Sequence, residues 1–365
     1  MSLATVLDRS RVVVCVGSGG VGKTTCAAAL GLEAARRGRR AMVLTIDPAR
    51  RLAQALGLDR LAAGGQRIDQ ADGQLSAGVL DVKTAWDEFI ARHAPNPEVC
   101  RRILANRFYR QLSSSFAGST EYMALEELCR ITESGDYDLI VLDTPPSRHA
   151  LDFLDAPRRI EAFFDRRIVG WFVGPWRLAS RSARFILSRI EDATGLASFG
   201  EISDFFMSMD TLFEGIAGRS AQVRGLLGAA DTSFVLVAGP DEEVLGESEY
   251  LGARLGEFGI DLAAVVMNRV HLAPAGANAG AGVVDDITLE VRERLGRGGV
   301  DGQACRWITD TYQAALTTSR AEEVRRKAFE SGLAEGVTVT TVPEMDGDVH
   351  DLEGLARVAD FLVPA

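Results

Sequence analysis

Gly17-Ser18-Gly19-Gly20-Val21-Gly22-Lys23-Thr24 lies between an apolar run, residues 11–16, and an alanine-rich stretch of helical character. Glycines that close a strand let successive backbone N–H groups gather around an anion. A helix opening directly behind them turns the positive end of its dipole to the same point. In that setting Lys23 reaches the β- and γ-phosphates of a nucleoside triphosphate and Thr24 binds Mg²⁺. A strand before and a helix after separate this loop from a glycine turn with an incidental lysine.

Outward from the loop, short β-branched runs recur between helical stretches: residues 11–16, 41–46, 79–82, 137–142, 233–238, 263–267 and 337–342. This alternation predicts an α/β fold, a P-loop NTPase with a mostly parallel, doubly wound sheet, with ligands at the carboxyl ends of the strands. Two stretches break the rhythm. Residues 83–134 read as helical, interrupted at Pro95 and Pro97, with Ser119 or Thr120 placed to cap the last helix and Glu121 in its first turn. Residues 150–230 carry no strand signal and read as an all-helical insertion, which leaves 1–149 and 231–365 as the ATPase domain. Eight of the ten residues 273–282 are alanine or glycine, the composition of a mobile loop.

The 365 residues carry 40 basic against 51 acidic side chains, a formal charge of −11, which argues against nucleic acid as a partner. The five cysteines, Cys15, Cys26, Cys100, Cys129 and Cys305, include no C-x-x-C pair, so no disulfide framework or zinc set is legible, and Cys15 and Cys26 read as packing residues. Without a leader pattern or an apolar run of membrane-spanning length, the expected location is cytoplasmic.

Residues 137–142 deliver Asp143 beside the loop in the manner of a Walker B strand, where its carboxylate can hold Mg²⁺ directly or through water, or simply cap a turn. Thr144-Pro145-Pro146-Ser147-Arg148-His149 follows, and two prolines stiffen a turn suited to reporting on the γ-phosphate. Asp47, at the head of Asp47-Pro48-Ala49-Arg50-Arg51, can orient or deprotonate an attacking water. It can also cap the helix predicted over 49–56, and both roles are compatible.

The loop, Asp47-Pro48-Ala49 and the stretch from Asp143 to His149 together resemble the ArsA-type anion-transporting ATPases and their relatives, the guided-entry factors that target tail-anchored membrane proteins. These are deviant Walker A ATPases, and the similarity runs in order from residue 12 to about 362. The resemblance implies that Gly19, Gly20, Val21, Gly22, Lys23, Thr24 and Thr25 hold the phosphates and Mg²⁺ of ATP. It further implies that Lys23 and Asp47 are catalytic, and that Thr24 and Asp143 serve the metal. Asn268 matches the family's adenine-reading asparagine, whose amide offers both donor and acceptor, and Pro343 sits where the family packs a loop against the base.

The resemblance also implies a dimer. In the family the loop begins Gly-Lys-Gly-Gly and its lysine reaches across the interface; Ser18 stands there in this chain and cannot supply the charge. The expectation is a heterodimer with a lysine-bearing paralogue or a weakly hydrolysing homodimer; Arg50, Arg51 and Arg148 are candidate substitutes for the lysine by proximity, or, the favoured reading, solvated surface charges. Neither the zinc-binding pair of the targeting factors nor the cysteine cluster of the arsenite pumps is legible, which argues against arsenite transport.

The function these features predict is an Mg-ATP-dependent dimeric switch that handles a hydrophobic or membrane-associated client. Residues 158–190 hold eight arginines against Glu161 and Asp165, interleaved with aromatics such as Phe164, Trp171 and Trp176. That mixture suits a groove for an apolar helix, or a helical subdomain with its aromatics in its own core. The alternatives are an ATPase subunit that energises an anion or metabolite transporter, and a partition-type scaffold ATPase. The scaffold reading is disfavoured by the acidic character of residues 351–362.

Overall fold

Val12–Gly17 (β1) is buried along its whole length, as a strand paired on both edges and covered on both faces must be. Its side chains divide between two cores: Val12, Val14 and Val16 face one, Val13 and Cys15 the other. The computed structural model describes residues 2–46, 50–62, 64–69, 73–115, 119–163, 199–209, 212–274, 293–299 and 301–364.

The remaining strands are β2 (Arg40–Thr45), β3 (Gln66–Arg67), β4 (Gln74–Val79), β5 (Leu139–Asp143), β6 (Thr232–Ala238), β7 (Leu262–Val270) and β8 (Thr338–Pro343). They form one sheet in the order β3-β4-β2-β5-β1-β6-β7-β8, parallel throughout except for the β3–β4 edge. The helices are α1 (Leu3–Arg9), α2 (Lys23–Arg36), α3 (Arg50–Ala55), α4 (Val82–His93), α5 (Pro97–Ala105), α6 (Arg107–Ser115), α7 (Ser119–Ser134) and α8 (Ser147–Phe163). After them come α9 (Phe199–Met209), α10 (Phe213–Leu227), α11 (Glu242–Glu257), α12 (Gly302–Ser331) and α13 (Leu352–Leu362). α1, α2, α3 and α13 cover one face of the sheet; α4, α7, α8, α10 and α11 cover the other. This is the α/β architecture of a P-loop NTPase.

The strand expected at 79–82 is displaced. β4 ends at Val79, and Asp81 caps α4 instead, accepting a hydrogen bond from the Thr84 N–H at 2.9 Å. Gln74, Ser76 and Gly78 have little strand propensity, but pairing with β2 and burial of Leu75 and Ala77 override it. The two-residue edge strand β3 gave no sequence signal. Pro97 begins a helix rather than interrupting one: Asn96 accepts from the Glu98 and Val99 N–H groups, and proline fits the first turn. Ser119 is the first residue of α7 rather than its cap, with Glu121 in the first turn.

Within 150–230 the described residues are helical in α8, α9 and α10, while 164–198, with most of the arginine-aromatic stretch, lie outside the described residues. Phe153, Phe205, Phe206 and Met209 are buried in the same core as Val12 and Val14. Arg219 of α10 donates to the buried Glu126 of α7 at 2.6 Å, an ion pair that ties these helices to the sheet's cover. Of the alanine- and glycine-rich residues 273–282, those from 275 onward lie outside the described residues.

Candidate nucleotide-binding site

The end of β1 and the start of α2 are joined by a loop whose backbone calls for glycine at Gly17 and Gly22. Gly17 has φ 154°, and a Cβ there would lie 2.1 Å from the Val237 carbonyl oxygen. Gly22 has φ 89° and is the N-cap of α2 with no side chain capping the helix, so the first N–H groups of α2 are left for an anion. Lys23, only 7% exposed, donates from Nζ to the Ser18 carbonyl at 2.6 Å and thereby closes the loop on itself.

Asp143 ends β5 level with Cys15 of β1 and Thr45 of β2. Thr24 Oγ1 donates to Asp143 Oδ2 at 2.8 Å and Thr45 Oγ1 donates to the same oxygen at 2.9 Å. A hydroxyl and a carboxylate at the mouth of a phosphate loop are the hard oxygen donors Mg²⁺ takes when substrate phosphates complete its shell, so these residues fit the ion. Thr45 was not foreseen; the signal would have been its place at the end of β2, level with the end of β5. Burial first, then the Asp143 charge, pushes the Cys26 thiol up to about 12 and raises Cys15 as well. Both stay protonated and serve packing.

Following Asp143, Thr144 Oγ1 donates to the Cys15 carbonyl at 2.7 Å, and Pro146 stands against Gly19. The double-proline turn thus abuts the loop it was expected to report on. Asp47, with Pro48 and Ala49, lies outside the described residues, as does the side chain of Arg148. Arg51 lines the site. The Ser18 side chain points inward, 2% exposed, and its hydroxyl has no hydrogen-bond partner among the described residues.

A cavity of about 970 Å³ opens beside the loop, and the expected residues Gly20, Gly22, Lys23, Thr24, Thr25, Asn268 and Pro343 all line it. Gly19 and Val21 line an adjoining cavity of about 310 Å³, which shares Gly20, Arg269 and Glu344 with the first. Asn268, 8% exposed at the end of β7, donates from Nδ2 to the Val21 carbonyl at 2.7 Å, leaving its oxygen and second N–H. The segment after β8, from Glu344 to His350, forms the rest of the wall and brings three carboxylates, Glu344, Asp346 and Asp348, to it. Arg269 also lines the cavity, and sequence reading had passed over it.

The profile of the anion-transporting ATPase family matches residues 10–279. Similar curated proteins include ATPase GET3 of Malassezia globosa, 26% identical over 281 residues, which are 76% of this chain and 78% of the relative. ATPase get3 of Aspergillus terreus is 26% identical over 274 residues, covering 74% of this chain and 76% of the relative. With its phosphate loop, carboxylate and sheet in the arrangement described, the chain belongs to the anion-transporting ATPase family and so to the nucleotide-binding ATP hydrolases.

Proposed function

We propose that the protein is an Mg²⁺-dependent, dimeric switch ATPase in the cytoplasm, whose binding and hydrolysis of ATP drive the handling of a hydrophobic or membrane-associated client. The observation that carries the nucleotide part is the 2.8 Å contact between Thr24 and Asp143 at the head of an uncapped α2. Gly19 to Thr25 offer main-chain N–H groups to the phosphates, and Lys23 offers the ammonium that offsets charge on the transferred group. Asp47 orients the attacking water. Asn268 uses its remaining oxygen and N–H on the adenine edge, and Pro343 packs against the base. Held by Thr24 and Asp143, Mg²⁺ would neutralise charge between the β- and γ-phosphates.

Client handling rests on the sequence resemblance and on relatives that bear the name ATPase GET3. Dimerisation rests on the same resemblance. Because Ser18 brings no cation to a partner subunit, the proposal includes slow hydrolysis by the isolated chain, or pairing with a lysine-bearing paralogue. The test is purified protein assayed for ATP hydrolysis with Mg²⁺ and with chelator, alongside its mass in solution with and without ATP. Absence of ATP binding in Mg²⁺ would sink the nucleotide reading. A Ser18→Lys variant no faster than the parent would discard the rate argument, and a mass that stays monomeric in ATP would discard the dimer. Capture of an integral membrane partner by an Asp47→Asn variant, with no apolar client, would favour the transporter reading.

A further inference from the structure

Arg269 is the one residue other than glycine with a positive φ, 60°, among the described residues. A bulky residue adopts that conformation at a cost of about 1 kcal/mol. It does so where the β7–β8 register slips between Met267 and Val270. In a regular strand, neighbouring side chains point to opposite faces. Here two neighbours reach the same loop: Asn268 Nδ2 donates to the Val21 carbonyl at 2.7 Å, and Arg269 Nη1 donates to the Gly20 carbonyl at 3.1 Å. The left-handed backbone is the local feature that accounts for two adjacent side chains on two adjacent carbonyls.

A trans peptide unit is planar, and its C=O points away from the N–H of the following residue. Holding the Gly20 carbonyl therefore fixes the direction of the Val21 N–H, and holding the Val21 carbonyl fixes that of Gly22. Both N–H groups point away from the carbonyl oxygens that Arg269 and Asn268 hold. They belong to the set of main-chain donors that a phosphate loop presents to its anion. Glu344 Oε2 stands 3.7 Å from Arg269 Nε, and the arginine side chain is 54% exposed.

We infer that Arg269 is a positioning residue for the triphosphate: by holding the Gly20 carbonyl it aims the Val21 N–H at the phosphate chain. The inference rests on the nucleotide reading above and adds to it a residue that acts through the loop and not on the base. Titration calorimetry of the full chain with Mg-ATP, Mg-tripolyphosphate and adenosine tests it on the parent protein and on Arg269→Ala, Arg269→Gly and Arg269→Lys. The alanine and glycine variants are expected to weaken Mg-ATP and Mg-tripolyphosphate by the same factor, roughly tenfold. Adenosine affinity is expected to stay unchanged, and the lysine variant to recover part of the loss. The glycine variant also relieves the backbone, so a loss there belongs to the side chain. Parent-like tripolyphosphate affinity in Arg269→Gly, or a loss confined to ATP and adenosine, would overturn the inference. A parent protein that binds neither ATP nor tripolyphosphate would overturn the nucleotide reading itself, and this inference with it.

Discussion

On the proposed reading, the phosphate end of the cavity is one unbroken run from Gly19 to Thr25 that offers mainly peptide groups, and the base end is assembled from Asn268, Pro343 and the segment after it. The difference follows from the ligand. A phosphate accepts from any N–H, so a loop can serve it with peptide groups alone, provided glycines allow the backbone to close. A base edge must be matched donor to acceptor, which takes side chains whose positions depend on the whole sheet. The first kind of site is written at fixed offsets in sequence. The second is assembled only by the fold.

The largest effect is expected at the phosphate end. Lys23→Ala should lower kcat on the order of a thousandfold, with the fold retained by circular dichroism; residual activity near the parent level would remove Lys23 from catalysis. Gly22→Ala comes next because it strikes both ends at once, combining a φ of 89° with a Cβ placed 2.3 Å from Asn268 Nδ2. Strain and the displaced amide together should weaken ATP on the order of a hundredfold, read by calorimetry, and an intact affinity would show that the two ends are not coupled there. Asn268→Ala should weaken ATP roughly tenfold and narrow any preference for ATP over GTP. Were that preference unchanged, the amide would serve the Val21 carbonyl alone. The smallest effect belongs to Ser18→Ala. Removing a buried hydroxyl that has no partner among the described residues should stabilise the protein by about 1 kcal/mol in denaturant melts, with kcat within about twofold of the parent.

Much of this was legible in the sequence for reasons that can be named. Val12 to Val16 and Leu139 to Leu142 are apolar at every position because their strands are buried on both faces, so the central sheet declared itself. Lys23, Thr24 and Asp143 followed from local pattern, and the structure brings Thr24 and Asp143 into contact. β4 was misplaced because Gln74 to Val79 owes its strand to the neighbour β2 rather than to its own side chains. Thr45 and Arg269 escaped notice because each acts through a partner distant in sequence, Asp143 for the one and Gly20 for the other. The roles expected of Asn268 and Pro343 came only through resemblance, since an asparagine or a proline after a strand is ordinary turn chemistry.

The bond from Lys23 to the Ser18 carbonyl makes the loop a hydrogen-bonded macrocycle, closed by an ammonium rather than by a covalent link. Such a ring is a host already shaped for its guest, and little chain freedom is lost when the guest arrives. An ammonium has three donors, so one can keep the ring shut while the others turn to a phosphate.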